Sequence, residues 1–330
     1  IYSFASVSAS NTLEPYFSDY NREVSMYNKF KALKTTHPSL KTLIAVGGWT
    51  HNEPGKDTCH RFATVSSSPE NRQTFANSVV SFLVQYGFDG IDLDWEYPAD
   101  ADRCGTSDDK TNYALLVEAI RTAFDDGGHD FLITMAIPVS EFRLGEGYDL
   151  LSLSQNLDWF NIMTYDIAGT WSSAVGSHTD MQYIENTISY ILGEGVPSYQ
   201  LAMGLGAYGR TFTLSDPNCV DIGCDFNSAA SGGCGGEVGF TPYFNIANTI
   251  DSGVYKKLEL NHQTGSMEMV TTNNEFVSFD NKETFQIKYD YADAMCMRGC
   301  FWWAADMIVE GFTLEANNAT STKARSLRGN

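Results

Sequence analysis

Nothing in the 330 residues is an apolar run long enough to span a bilayer, and positive charge is scarce. Only 21 Lys and Arg stand against 41 Asp and Glu, a formal net charge of -20. That balance argues against a nucleic-acid backbone or an anionic membrane surface as partner, because both repel it. It suits a neutral substrate or a positively charged one. The seven cysteines form no pair of CxxC units and the six histidines include no HExxH. The patterns of a zinc site are therefore missing, and neither a metal nor another cofactor is expected.

What the chain does have is 43% hydrophobic and 13% aromatic residues, enough for one large core or two ordinary ones. Cys219, Cys224 and Cys234 lie in the Gly-rich loop DPNCVDIGCDFNSAASGGCGG. A loop of that kind gains much from a cross-link, which points to disulfides and a secreted, extracellular protein. One set that fits is Cys59 with Cys104, one pair within 219–234, and Cys296 with Cys300, and the sequence leaves the connectivity open. The odd number leaves one thiol over. NAT at Asn318 is a glycosylation acceptor if the chain is secreted.

Short apolar runs recur at 1–7, 40–48, 88–95, 131–138, 157–165, 199–208 and 299–305. Between them NRQTFANSVVSFLVQYG from Asn71 and TNYALLVEAIRTAF from Thr111 repeat apolar residues at spacings of three and four, and SHTDMQYIENTISYILGEG does the same and ends in Gly. Strands alternating with helices imply a parallel sheet covered by helices. Polar residues at the strand ends favour an α/β (β/α)8 barrel over an open doubly wound sheet. One strand is short of eight, and it is expected before Ile1, since the chain opens directly on a strand. From about Thr211 to Phe285 the rhythm breaks: the cysteine loop is followed by VYKKLEL, SMEMVTT and EFVSFD, which read as antiparallel strands of a small α+β insertion. The expected ranges are 1–210 for the barrel strands, 211–285 for the insertion, and 286–330 for the last helix and strand with a C-terminal tail, the tail itself a final helix and frayed end after Asp306.

The run FDGIDLDWEYP, 88–98, reads as a strand loaded with acids. Alternation puts Asp92, Asp94 and Glu96 on one face and Ile91, Leu93 and Trp95 on the other. Asp89 belongs to the strand entrance. An ion-paired cluster or a hard-cation site are the bland explanations, although no Arg or Lys lies near in sequence. The chemical explanation is that crowded carboxylates cannot all ionise, so their pKa values separate. Glu96, nearest the open end, is then placed as a general acid. Asp94 holds it or orients a substrate group, and Asp92 supports Asp94. Trp49, Tyr97, Trp302 and Trp303 stand at strand ends, where flat rings suit sugar faces. MTYD, 163–166, brings Met163, Tyr165 and Asp166 to another strand end.

DGIDLDWEYP fits the signature DxxDxDxE of the family 18 glycoside hydrolases, chitinases and chitinase-like lectins among them, and the chain resembles that family. YSFA (2–5), AVGGW (45–49), MAIP (135–138), MTYD (163–166), YGR (208–210) and the strand ending at Trp303 follow in the family's order. The likeness covers about 1–310, with Ala45 where many members have Ser. It implies that Glu96 is the proton donor, that the substrate's own N-acetyl oxygen is the nucleophile, and that Asp94, Asp92 and Tyr165 assist. It also implies a cleft lined by Tyr2, Trp49, Tyr97, Met135, Met163, Asp166, Tyr208, Arg210 and Trp303. The implied partner is chitin or its N-acetylglucosamine oligosaccharides, met by a monomer. A non-catalytic chitin-binding lectin and an endo-β-N-acetylglucosaminidase are the alternatives. Lectin-like members usually lose the acid at the position of Glu96.

Overall fold

The computed structural model describes residues 1–309. The final helix expected after Asp306 and the sequon at Asn318 fall, beyond the first few positions, outside the described residues. The chain forms two compact units, one of Ile1–Ile162 with Tyr190–Gln200, the other of Met163–Ser189 with the chain from Leu201 onward.

In the first unit β1 (Tyr2–Val7), β2 (Leu13–Pro15), α1 (Tyr20–Thr36), β3 (Leu43–Gly47), α2 (Arg61–Ser66), α3 (Pro69–Tyr86) and β4 (Gly90–Asp94) are followed by α4 (Asp109–Asp126), β5 (Leu132–Pro138), α5 (Glu141–Gly147), α6 (Leu150–Ser154) and β6 (Trp159–Met163). The strand order is β6-β5-β4-β3-β1-β2. Pairings β1–β3, β3–β4 and β4–β5 are parallel, and β2 returns antiparallel on β1. The helices begin and end where local chemistry dictates. Ser68 caps α3 by accepting from the Asn71 N–H at 3.2 Å, Pro69 occupies the first turn, and Gly87 closes the helix in the left-handed region. The apolar stripe of α3 (Phe75, Val79, Leu83) and that of α4 (Leu116, Val117, Ile120, Phe124) are fully buried. Ile91 and Leu93 of β4 are buried with no exposed surface, as alternation requires. Trp95 stacks on Phe62 at 5.3 Å and meets Tyr113 edge-on at 5.1 Å. Asp89, at the entrance to β4, accepts from the Thr42 N–H at 2.7 Å and pairs with Lys34, so its role is structural.

The helix α7 (Met181–Gly193) leads into the rest of the second unit: β7 (Leu201–Gly206), β8 (Tyr208–Leu214), β9 (Phe226–Ala229), β10 (Phe240–Pro242), α8 (Tyr243–Ser252), β11 (Tyr255–Asn261), β12 (Ser266–Thr271), β13 (Glu275–Phe279), α9 (Lys282–Ala294) and β14 (Gly299–Trp303). β14 pairs parallel with β7. The segments VYKKLEL, SMEMVTT and EFVSFD form β11, β12 and β13 in an antiparallel sheet ordered β10-β8-β13-β12-β11, with β9 on β8. Period-two alternation gives this sheet two apolar faces. Phe212, Leu214, Val270 and Phe276 pack on one, and Met267, Met269, Val277 and Phe279 meet Ile246 of α8 on the other. Lys257 lies among Asp221, Glu259 and Glu268 at 2.5, 2.9 and 2.7 Å, so one ammonium bridges the three carboxylates.

Cys59–Cys104 and Cys219–Cys224 are bonded. The bond expected between Cys296 and Cys300 is not formed. Cys300 is a thiol on β14 whose burial pushes its pKa up to about 12, whereas Cys296 sits exposed in the turn that ends α9. Proximity in sequence does not give the two side chains a common direction once a turn and a strand separate them.

Candidate active site

The first unit holds the acidic row. Asp92, Asp94 and Glu96 share one face of β4 and its exit, each less than a tenth exposed at 5, 6 and 8%. Asp92 is in register with Ala45 of β3 and Thr134 of β5. Its Oδ1 accepts from the Thr134 hydroxyl and, at 2.8 Å, from Asn161 Nδ2 on β6. Burial raises the pKa of Asp92, and those two donors hold the rise back. Asp94 lies well above the usual carboxylate range because it is buried and because Glu96 and Asp92 stand beside it. Its Oδ1 is buried without a hydrogen-bond partner among the described residues. A buried, undonated carboxylate oxygen next to two acids retains a proton or awaits a donor from outside the chain.

Backbone proximity builds this corner. Gly47 ends β3 at φ +110, and a Cβ there would lie 2.0 Å from the Asp94 carbonyl oxygen. Gly48 donates its N–H to that same oxygen at 2.8 Å. The sequence GGW thus brings the strand end against the acids, and Trp49 follows, 56% exposed. Arg103 covers one face of the Trp49 ring at 3.7 Å and donates Nε–H to the Glu96 carbonyl at 3.0 Å. Tyr97 is half-buried beneath the Arg143 guanidinium, 4.4 Å from its ring, and burial first, then Glu96, hold its phenol protonated.

Two residues expected in the cleft are elsewhere. Met135 is fully buried and in register with Leu93, hence on the apolar face and not beside Asp92. Tyr2 is in register with Ile44, its hydroxyl reaches Glu23 at 3.4 Å, and its ring meets Tyr27 and Phe30 of α1. A register shift between Ser3 and Ala5 brings Phe4, not Tyr2, against Gly48. That irregularity breaks simple alternation along β1, where the family resemblance had implied Tyr2 in the cleft.

The second unit carries the other group. Asp166 follows β6 at φ 61 and accepts from Tyr208 at 2.6 Å and from Arg210 through both oxygens at 2.7 Å. Burial works to raise its pKa, but Arg210 outweighs it and keeps the carboxyl below the ordinary value. Tyr165 is buried, its ring edge-on to Tyr208 at 6.0 Å and Phe301 at 6.3 Å. Trp303 is two residues on from Phe301 along β14 and so shares its face, while Trp302 turns to Phe285 and Tyr289 of α9. Met163 ends β6, two residues after Asn161 and on the same face of the strand.

Thr134, Asn161, Arg103, Phe4, Trp171 and His178 were not singled out from the sequence. Trp171, 58% exposed, lies under Arg210 at 4.9 Å. His178 is fully buried with its Nδ1 3.9 Å from Asp166, and burial lowers its pKa to about 4. Of these only Arg103 had a signal, its place beside a cysteine expected to be bonded.

Residues 1–307 match the family described as Glycosyl hydrolases family 18. The chain belongs to that family. The Endochitinase of Manduca sexta is 33% identical over 93% of this chain and 58% of its own length. Probable chitinase 2 of Drosophila melanogaster is 33% identical over 93% and 65%. The chain therefore spans less than two thirds of the length of these relatives. The Group IV chitinase of Ostrinia furnacalis superposes with a TM-score of 0.85 at 28% identity, over 93% of this chain and 84% of that one, and was also solved in complex with allosamidin. The fold class is accordingly the α/β (β/α)8 barrel with a small α+β insertion expected from the strand rhythm.

Proposed function

We propose that the protein is a chitinase that cuts β-1,4 bonds between N-acetylglucosamine units by a substrate-assisted, retaining route with Glu96 as acid and base. The observation that carries this is the unequal row of acids: Asp92 is satisfied by Thr134 and Asn161, whereas the buried Asp94 Oδ1 lacks a donor among the described residues. The N–H of an acetamido group is a donor of the right kind. With that N–H held by Asp94, the acetamido oxygen attacks the anomeric carbon as the glycosidic C–O bond breaks, and Glu96 gives its proton to the leaving oxygen. The oxazolinium intermediate is positively charged, which Asp94 stabilises as the shared proton moves to Asp92. Water, losing a proton to Glu96, then attacks the anomeric carbon and restores the acetamido group with net retention.

The family resemblance supports further assignments. Tyr165 donates to the acetamido oxygen, Asp166 with Tyr208 and Arg210 binds sugar near the linkage, Met163 and Trp303 lie under the ring, and Trp49 and Tyr97 contact neighbouring sugars. The proposed barrel range is 1–210 with an insertion at 211–285. The disulfides support secretion, and a monomer suffices for the chemistry.

The test is a time course on N-acetylglucosamine oligomers beside Glu96→Gln, following product mass and anomeric form. Initial products in the β form, absent with the variant, are expected. Tight binding by a folded wild type without cleavage would replace the enzyme by a lectin.

A further inference from the structure

The loop that carries Trp49 and the backbone at Glu96 are joined by one side chain. Arg103 is only 7% exposed, unusual for an arginine. Its Nε–H goes to the Glu96 carbonyl at 3.0 Å, and a terminal N–H goes to the Trp49 carbonyl. The guanidinium carbon lies 3.7 Å from the Trp49 ring centroid. One planar cation thus sets both the position and the tilt of a ring that is itself 56% exposed. Arg103 is in turn held from its neighbour, because Cys104 is bonded to Cys59. Cys59 closes the Trp49 loop from its other end: its carbonyl accepts from Asn52 Nδ2 at 3.0 Å, and Thr58 donates to the His51 carbonyl at 2.6 Å. Burying a guanidinium against two carbonyls and a ring is costly where a solvated side chain would serve for a simple loop. The arrangement is rewarded when the spacing of the ring and the acid matters.

We propose that Arg103 is a positioning residue that holds Trp49 as a sugar platform at a set distance from Glu96, with the Cys59–Cys104 bond holding Arg103. This rests on the hydrolase reading above. The substrate class is a chain of at least two N-acetylglucosamine units, one on the ring and one at the acid.

A double-mutant cycle tests it, with kcat and KM measured on the N-acetylglucosamine pentamer for wild type, Arg103→Met, Trp49→Ala and the double variant. Arg103→Met is expected to raise KM roughly tenfold and to lower kcat several-fold. In the Trp49→Ala background the KM effect of Arg103→Met disappears while its kcat effect, transmitted through the Glu96 backbone, persists. Unchanged parameters in Arg103→Met, or KM effects that simply multiply, overturn the proposal. If Arg103→Met does not fold, Arg103→Lys replaces it. A lysine keeps a cation over the ring but loses the fork, so kcat falls with KM nearly kept, and wild-type kinetics in that variant are the overturning result. If the wild type binds the pentamer without cleaving it, the hydrolase reading fails, and the same cycle run on Kd by tryptophan fluorescence decides the clamp alone. Absence of any binding sinks both.

Discussion

Asn161 Nδ2 donates to Asp92 Oδ1 at 2.8 Å, joining β6 to β4 across 69 residues of chain. The bond favours the ionised form of Asp92, against the burial that raises its pKa.

Replacing Asn161 by Ala is expected to lower kcat about tenfold and to move the acid limb of the kcat/KM profile to higher pH. The sign follows from the donor: without it the ionised form of Asp92 is less stable, so a higher pH is needed to reach it. A pH profile with an unmoved acid limb would refute the role of this bond.

Glu96→Gln removes the proton without removing much volume. Loss of kcat by roughly 10²- to 10⁴-fold is expected, with oligosaccharide affinity by calorimetry kept within a few-fold. A variant with most of its kcat intact would move the acid elsewhere.

Lys288 and Asp280 in the second unit are both fully buried and 2.7 Å apart, and Lys288 also donates to the Gly265 carbonyl at 3.0 Å. Asp280→Ala leaves that ammonium without its counter-charge, and urea unfolding should show a loss of about 3–5 kcal/mol. A loss below 1 kcal/mol would mean that the site relaxes enough to admit water.

His178 is buried neutral, its pKa lowered from 6.5 to about 4 mainly by desolvation. Its folded value lies below the unfolded one, so its contribution is complete above pH 6.5 and is lost as pH falls from there through about 4. By linkage the loss reaches about 3 kcal/mol. Stability measured from pH 7 to 4 should fall less steeply in His178→Phe than in wild type, and parallel curves would rule out this residue as the source.

Much of this was legible in the residues. The apolar stripes of α3 and α4 and the buried runs of β4 and β5 follow periodicities that are local properties of the chain. The acids of β4 share a face for the same reason. Met135 and Tyr2, placed in the cleft by the family resemblance, show where motif matching stops. Alternation says which residues share a face of one strand, but which face of the neighbour they join depends on register, and the shift between Ser3 and Ala5 changes it. Cys296 and Cys300, close in sequence, do not bond because the intervening turn sets them on different elements.

The amino-acid sequence by itself determined the family, the strand and helix rhythm and the acidic row, because motif spacing and side-chain periodicity act over a few residues at a time. Only tertiary structure decided that Asp92 is satisfied while Asp94 Oδ1 lacks a donor among the described residues, that Phe4 and not Tyr2 meets Gly48, and that Arg103 meets Trp49 from 54 residues away. Those outcomes depend on hydrogen-bond partners and register supplied by distant strands and loops, and no local pattern encodes them.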